Sequence, residues 1–386
     1  MVNQIAYVGR DMRVHLTDAE GAESTAVEAP GKTHAWPAWS PTGGRVAFSV
    51  FSSGSNGSGL LALYLHQVGR KRCQRLYANE PGTDAIAQGT PHYALWSPDG
   101  ARLALIGRTK RPGLTLFTVD VSDSRKPFRV IDGMPIFVSW SPDSRFLLVH
   151  CGREHYLVDF VGETGVSRTK GESGLYMAPS WSPVANQCAF VREEGESTQS
   201  LIVEDFDAGT TRSVIDVTGA AAFAWGHSGD RLAIGRDPRE GARLYDGLWV
   251  VGNDGSGETR LTGDPVLSFF WSPTDSRIAY VTTSEDSMDS LRWVVVDSET
   301  GKLHPLADFT PTEEQLTAFM FFDQYAQSHN PWSQDGERII FSGSDYGAVG
   351  LAPFPHPGRS SIIVLDSRIG ETTVVAEGVF GAWSRG

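Results

Sequence analysis

The sequence predicts an all-β fold, an eight-bladed β-propeller with seven blades as the alternative, and three observations predict it. A Trp-Ser-Pro tripeptide recurs along the whole chain, and an apolar stretch, usually led by arginine, follows each copy five or six residues on. The first apolar stretch, Gln4-Ile5-Ala6-Tyr7-Val8, nearly repeats a distant one, Arg277-Ile278-Ala279-Tyr280-Val281. The tripeptide stands at Trp39, Trp96, Trp140, Trp181 and Trp271, with variants at Trp225 and Trp332 and a last Trp-Ser at Trp383. Those eight tryptophans lie 41 to 61 residues apart, scattered about the roughly 40 to 50 residues of one four-stranded blade.

Each part of the repeat has a physical reading. The residues before tryptophan, such as Pro135-Ile136-Phe137-Val138-Ser139, form a short apolar run suited to an inner strand buried between neighbouring sheets. The following Pro98-Asp99-Gly100 and Pro142-Asp143-Ser144 are turn chemistry: proline presets φ, aspartate bonds the backbone ahead, and a small residue takes the tight exit. A second strand then opens at Arg45, Arg102, Arg145, Gln187, Arg231, Arg277 or Arg338. Because these arginines follow the repeat, they are read as structural, each packing its stem on the blade and pairing locally with turn carboxylates. Third and fourth strands follow, as in Leu61-Ala62-Leu63-Tyr64-Leu65 and Gln74-Arg75-Leu76. Seven second strands serve eight tryptophan strands, and the missing one is Gln4 to Val8. The ring is therefore expected to close when the C-terminal inner strand, 379–384, pairs with N-terminal outer strands running from Gln4 to about Glu28, which leaves no open edge at the joint.

One propeller domain over 1–386 is expected, with a helical insertion at 307–330. The longest gap between tryptophans, Trp271 to Trp332, contains Thr310-Pro311-Thr312-Glu313-Glu314-Gln315-Leu316 followed by Thr317-Ala318-Phe319-Met320-Phe321-Phe322-Asp323-Gln324-Tyr325. Thr310 suits a cap, Pro311 a first helical position and the two glutamates a first turn, which predicts one short helix near 312–326. Two roles are open to it. Its aromatic side plugs the channel mouth, or Phe319, Met320, Phe322 and Tyr325 dock a protein partner.

A second candidate site lies where the inner strands begin. His34, Trp36, His92, Tyr93, Phe137, His329 and Phe380 all precede their tryptophans and form a candidate ligand-binding set at the channel mouth. His34, His92 and His329 stand five, four and three residues before tryptophan, a register that does not aim three imidazoles at one metal. No metal, no cofactor and no catalytic residue is expected.

Composition narrows the classes further. The 386 residues are 40% hydrophobic and 20% charged, with a net charge of -13, which describes a folded chain repelled by nucleic-acid and anionic lipid surfaces. Three cysteines without paired spacing suit reduced thiols, and no apolar run reaches the length of a membrane span. A cytoplasmic protein that binds neither nucleic acid nor membrane is expected.

The repeated Trp-Ser-Pro-Asp-Gly, then arginine, then an apolar strand, resembles the TolB-type, WD40-like propeller repeat, and the likeness covers essentially the whole chain. It implies the propeller fold, which hosts binding and catalysis alike. Two departures separate the chain from named members: the export signal and additional N-terminal domain of TolB are not evident, and no G-x-S-x-G nucleophile elbow accompanies the repeats as in prolyl oligopeptidase relatives. The expected function is therefore a non-catalytic scaffold for another protein. The alternative is an enzyme or small-ligand binder, lyase or hydrolase-like, taking a sugar or peptide at the channel mouth with a histidine as base or metal ligand.

Overall fold

Every repeat forms an antiparallel sheet in the order of its sequence. A computed structural model describes residues 3–53, 59–78, 93–108, 113–123, 127–161, 165–168, 172–195, 198–237, 244–285, 290–345 and 360–385. They form five four-stranded sheets and one ten-stranded sheet. The four-stranded sheets span 33–78, 93–133, 136–168, 180–217 and 220–262, and each places its tryptophan at the end of its first strand. We name the sheets by these tryptophans.

The ten-stranded sheet contains Trp271 and Trp383, with Trp332 bridged to its strand residue Ile339, and arises at two joints. Phe309 to Pro311, the end of one outer strand, pairs with Gly343 to Asp345. The strand Thr372–Trp383 then serves two neighbours, pairing first with Ser361–Asp366 and then, beyond Glu377, with Ile5–Gly9. Gly378 sits where it changes partner, and a Cβ there would lie 2.5 Å from the carbonyl oxygen of Val8, so only glycine lets the two backbones approach. The N- and C-terminal strands thus meet as expected, with Ile5 opposite Trp383. Next to them, Val14–Thr17 and Ser24–Ala26 complete the edge.

The turn after tryptophan is a small polar box. Ser97, Ser141 and Ser333 each donate to the aspartate two residues on at 2.6 Å and accept the amide that opens the second strand at 2.8 to 2.9 Å. The exit residue is left-handed: Gly100 and Gly336 have φ of 67° and 70°, and Ser144 and Asp275 occupy the same position at 62° and 57°. This explains why glycine recurs there.

Six of the eight repeat tryptophans link their repeat to the one before it, and the buried indole nitrogens of Trp181 and Trp383 make no such bond. The indole N–H of Trp39 donates to the Ala382 carbonyl, Trp96 to Ala38, Trp140 to Leu95, Trp225 to Ser180, Trp271 to Ala224 and Trp332 to Phe270, over 2.8 to 3.3 Å. In all six, the acceptor directly precedes the tryptophan of the preceding sheet. The indoles themselves are buried.

The recurrent arginines correct their sequence reading. Arg45, Arg231 and Arg277 cross to the next sheet, donating to the carbonyls of Gly100, Asp275 and Gly336. Their guanidinium groups lie 5.2, 5.5 and 5.2 Å from the rings of Trp96, Trp271 and Trp332. A planar cation over an indole face is favourable, so these side chains tie sheets together rather than neutralise their own turns. Arg145 alone keeps the local carboxylate pairing, with Asp159 at 3.0 Å, while Arg338 reaches Glu20 at 2.9 Å.

The indole link can be isolated by comparing two tryptophans. Trp225 donates at 2.8 Å, whereas the buried Trp181 nitrogen has no hydrogen-bond partner. Trp225→Phe strands a buried carbonyl, so chemical denaturation should show it to be less stable than Trp181→Phe by about 1 to 3 kcal/mol. Equal losses would mean that ring packing alone joins the sheets.

Candidate functional site

The insertion packs against the inner strands of several sheets. It forms two helices, α1 (Glu313–Met320) and α2 (Phe322–Tyr325). The cap is Thr312, whose Oγ accepts the Gln315 amide at 3.1 Å and donates to the Val379 carbonyl at 2.7 Å. Thr310 and Pro311, expected at the cap and first turn, instead end the strand Leu303–Pro311. The joint with Gly343 to Asp345 holds them extended.

The aromatic side of the insertion is a packing face. Phe319 and Phe322 are 1% exposed and Tyr325 7%, while Met320 is half-buried. Phe322 meets Phe269 at 4.6 Å, and Phe319 meets Trp293 at 5.5 Å. Of the residues expected to dock a partner, Phe319, Phe322 and Tyr325 are thus buried, while Met320 borders an open cleft. Burying these rings contributes about 1.5 to 3 kcal/mol each, and exposing them to a partner would forfeit that.

Polar residues fix the plug among the inner strands. Gln324 accepts the Val138 amide at 2.7 Å and donates to the Val138 carbonyl at 2.9 Å, as a strand neighbour would. Asp323 accepts the Ala178 amide at 2.9 Å, Gln327 donates to Pro179 at 3.1 Å, and Gln315 accepts the Ser342 amide at 2.9 Å. Arg385 donates to the carbonyls of Ala326 and Gln327 just beyond α2. Sequence reading passed over Asp323 and Gln324. Their signal was faint: two polar residues in an aromatic run whose neighbours are all buried.

Four residues of the expected channel-mouth set do gather, around Tyr325. Trp36 and Tyr93 lie 4.9 Å from the Tyr325 ring and His329 5.8 Å, while Phe380 packs on Trp36 at 4.8 Å. Trp36 reaches this position from a bulge, with φ of 54° and a break in pairing between Ala35 and Ala38, a strained backbone that re-aims the side chain. The Tyr93 hydroxyl donates to the Gln324 carbonyl at 2.7 Å, and burial pushes it up to about 12. These rings pack around the protein's own tyrosine, Tyr325.

The remaining members stand apart. His34 is fully buried between sheets, its Nδ1 accepting the Val14 amide at 3.1 Å. Burial pushes it down to about 4. His329 faces the Pro37 carbonyl through Nε2 at 3.1 Å and Ser328 through Nδ1 at 2.7 Å, and desolvation holds it near 3, so it is neutral. Phe137 packs 6.1 Å from His150 on another side of the mouth, and His92 lies outside the described residues. The imidazoles of His34 and His329 serve different backbone groups, and among the described residues no group of three or more histidines, cysteines or carboxylates is placed to hold a metal.

An open cleft of about 470 Å³ remains beside the plug, against Met320 and Phe321. On its wall His150 Nε2 meets Ser173 Oγ at 2.8 Å, and Nδ1 meets the Met177 carbonyl at 2.7 Å. Burial lowers the His150 pKa, against the Met177 and Gly152 carbonyls. Nε2 also faces the Gly152 carbonyl at 3.1 Å, so the neutral ring donates to one of two carbonyls, and only the tautomer protonated on Nδ1 leaves Nε2 to accept the serine hydroxyl in the pairing of an activated nucleophile. Tyr176 stacks on His150 at 4.4 Å and bonds His155 at 2.5 Å. Sequence reading missed this pair because Ser173 lies in irregular chain with no motif around it.

Two variants test the plug. Tyr325→Ala should cost about 3 to 5 kcal/mol and leave an apolar cage that a small aromatic such as phenol fills, read as a thermal shift that wild type lacks. Asp323 is raised to about 6 by desolvation, against the Ala178 and Gln324 amides. The native state therefore binds the extra proton between the unfolded value of 3.8 and about 6, and stability falls as pH rises through that window. Measured as unfolding free energy, wild type should lose about 3 kcal/mol relative to Asp323→Asn between acid and neutral pH. A pH-independent difference would mean that the carboxylate is hydrated.

No protein-family profile matches the sequence, and no curated protein matches it. Solved structures do. A eukaryotic initiation factor is similar over 100% of this chain and 99% of its own, with 12% identity and a TM-score of 0.58. An oligogalacturonate lyase in complex with manganese is similar over 85% and 84%, with 15% identity and a TM-score of 0.52. TolB from Acinetobacter baumannii is similar over 88% and 83%, with 18% identity and a TM-score of 0.41. At such identities the likeness speaks to the fold alone, an all-β fold with propellers as its structural neighbours.

Proposed function

We propose that this chain is a non-catalytic propeller of eight blades that acts as a rigid scaffold for a protein partner. The observation that carries the reading is the filled channel. Where a propeller ligand would lie, Tyr325 occupies the aromatic cage and Gln324 and Asp323 occupy the inner-strand amides. What is left for recognition is the outer surface. The count of eight is supported by the ten-stranded sheet, which divides at its two joints into three units of blade length, each with one tryptophan. It is supported too by the indole links, which follow chain order and return from Trp39 to Ala382. A protein partner in the cytoplasm suits the net charge of -13, the three free cysteines and the lack of any described helix long and apolar enough to cross a membrane.

One observation favours a second reading, a small-ligand or hydrolase site in the 470 Å³ cleft, namely the contact between Ser173 and His150. Ser173 is 4% exposed and its hydroxyl also reaches the Gly174 carbonyl at 3.2 Å, which favours a structural role. Treatment with a fluorophosphonate, read by mass spectrometry, separates the two. The scaffold reading expects no adduct at Ser173. An adduct lost in His150→Gln would overturn it in favour of acyl-transfer chemistry.

A further inference from the structure

A second cavity lies away from the plug, on the face of the Trp-Ser-Pro turns. It is a groove of about 1010 Å³ between the Trp39 and Trp96 sheets. One wall is the turn joining Gly59–Gln67 to Gln74–Ala78, closed by the Arg70 amide on the Gln67 carbonyl at 2.9 Å. That turn reads Arg70-Lys71-Arg72, and all three side chains are exposed. Arg45 completes the cation set at the base of the groove, with Leu65 and Val121 as its apolar floor.

Two properties make this cluster unlike the rest of the surface. The chain as a whole is strongly acidic, with 46 carboxylates against 33 lysines and arginines. Many of its other arginines are ion-paired, as in Arg145 with Asp159, Arg292 with Asp308 and Arg368 with Glu337. Among the described residues, Arg70, Lys71 and Arg72 enter no ion pair. The groove's own carboxylates, Asp99 and Asp120, offset this charge only in part, since Arg45, Arg70, Lys71 and Arg72 outnumber them, and each carboxylate is held in its own turn. Asp99 accepts from Ser97 Oγ at 2.6 Å and from the Ala101 amide at 2.9 Å. Asp120 accepts from Ser122 Oγ at 2.7 Å and from the Ser122 and Asp123 amides at 2.8 and 3.2 Å, bonds that hold its carboxyl below the ordinary value. Arg45 is preorganised by its bond to Gly100 and its stacking on Trp96, so little side-chain entropy is lost when it meets an anion.

We propose that this groove docks an acidic segment of a protein partner, a run of aspartate and glutamate whose carboxylates meet Arg70, Lys71 and Arg72 while an apolar side chain reaches Leu65 and Val121. The proposal rests on the scaffold reading and names the partner's chemistry. Arginine and carboxylate match in planar, bidentate geometry. A short segment also stays within the roughly 8 Å screening length of the cations, whereas a long polyanion such as DNA would run onto the acidic remainder of the surface and be repelled.

The test is fluorescence anisotropy with the full chain and a labelled oligoglutamate peptide, against a single-stranded oligonucleotide of equal charge. The peptide should bind, weaken as salt rises, and lose about tenfold or more in affinity with the triple variant R70E, K71E and R72E, whose exposed positions leave the fold intact by circular dichroism. Absence of peptide binding, or equal binding by the triple variant, would overturn the assignment. Tighter binding of the oligonucleotide would overturn it too, in favour of nucleic acid. Size-exclusion chromatography of the tagged chain from its host keeps the two proposals apart. A stoichiometric protein complex that survives in the triple variant would sink the groove while leaving the scaffold standing, and the absence of any such complex from wild type would sink the scaffold.

Discussion

The fold depends on one recurring hydrogen bond, from a buried indole N–H to the backbone of the sheet before it. A propeller-type assembly has no strand ladder between most of its sheets, so something else must set their spacing and order. Tryptophan does both: its area supplies the hydrophobic contact, and its single donor finds one carbonyl, immediately ahead of the previous tryptophan. The arginines that open the second strands add a planar cation over the same rings in three places. Sheet-to-sheet packing is therefore directional, which sliding apolar surfaces alone would not be.

Inner strands gathered in this way leave space between them that must be filled or hydrated. Here α1 and α2 fill it with the chain's own aromatics, and the polar residues that accompany them are chosen for backbone groups rather than water. Gln324 imitates a strand partner for Val138, and Asp323 serves Ala178. A void of about 20 Å³ lies beside Tyr325, room for about one water molecule. The carboxyl of Asp323 is driven up and the imidazole of His329 down by the same loss of water. Perturbed titration in this channel reports structural burial, although such shifts elsewhere often mark catalysis. With its centre occupied, the protein is left with two peripheral concavities of different character: an apolar cleft beside the plug and a cationic groove on the turn face.

The sequence by itself determined the repeat, its strands and turns, and the meeting of the two ends of the chain. Those features are local in origin. The serine, aspartate and left-handed glycine of each turn lie within a few residues of one another, and apolar alternation marks each strand without reference to the rest of the fold. The similarity of Ile5-Ala6-Tyr7 to Ile278-Ala279-Tyr280 was legible for the same reason, because equivalent positions in a repeat face equivalent surroundings. Tertiary structure alone decided where the insertion went and what the aromatic residues touch. Whether Phe319 and Phe322 face a partner or Trp293 and Phe269 turns on the width of the space that all the inner strands enclose together. The bulge at Trp36 and the partner of His329 likewise depend on contacts nearly three hundred residues apart. So does the emergence of Arg70, Lys71 and Arg72 as an unmatched cluster, because whether a charge is paired depends on distances in space that the order of residues does not carry.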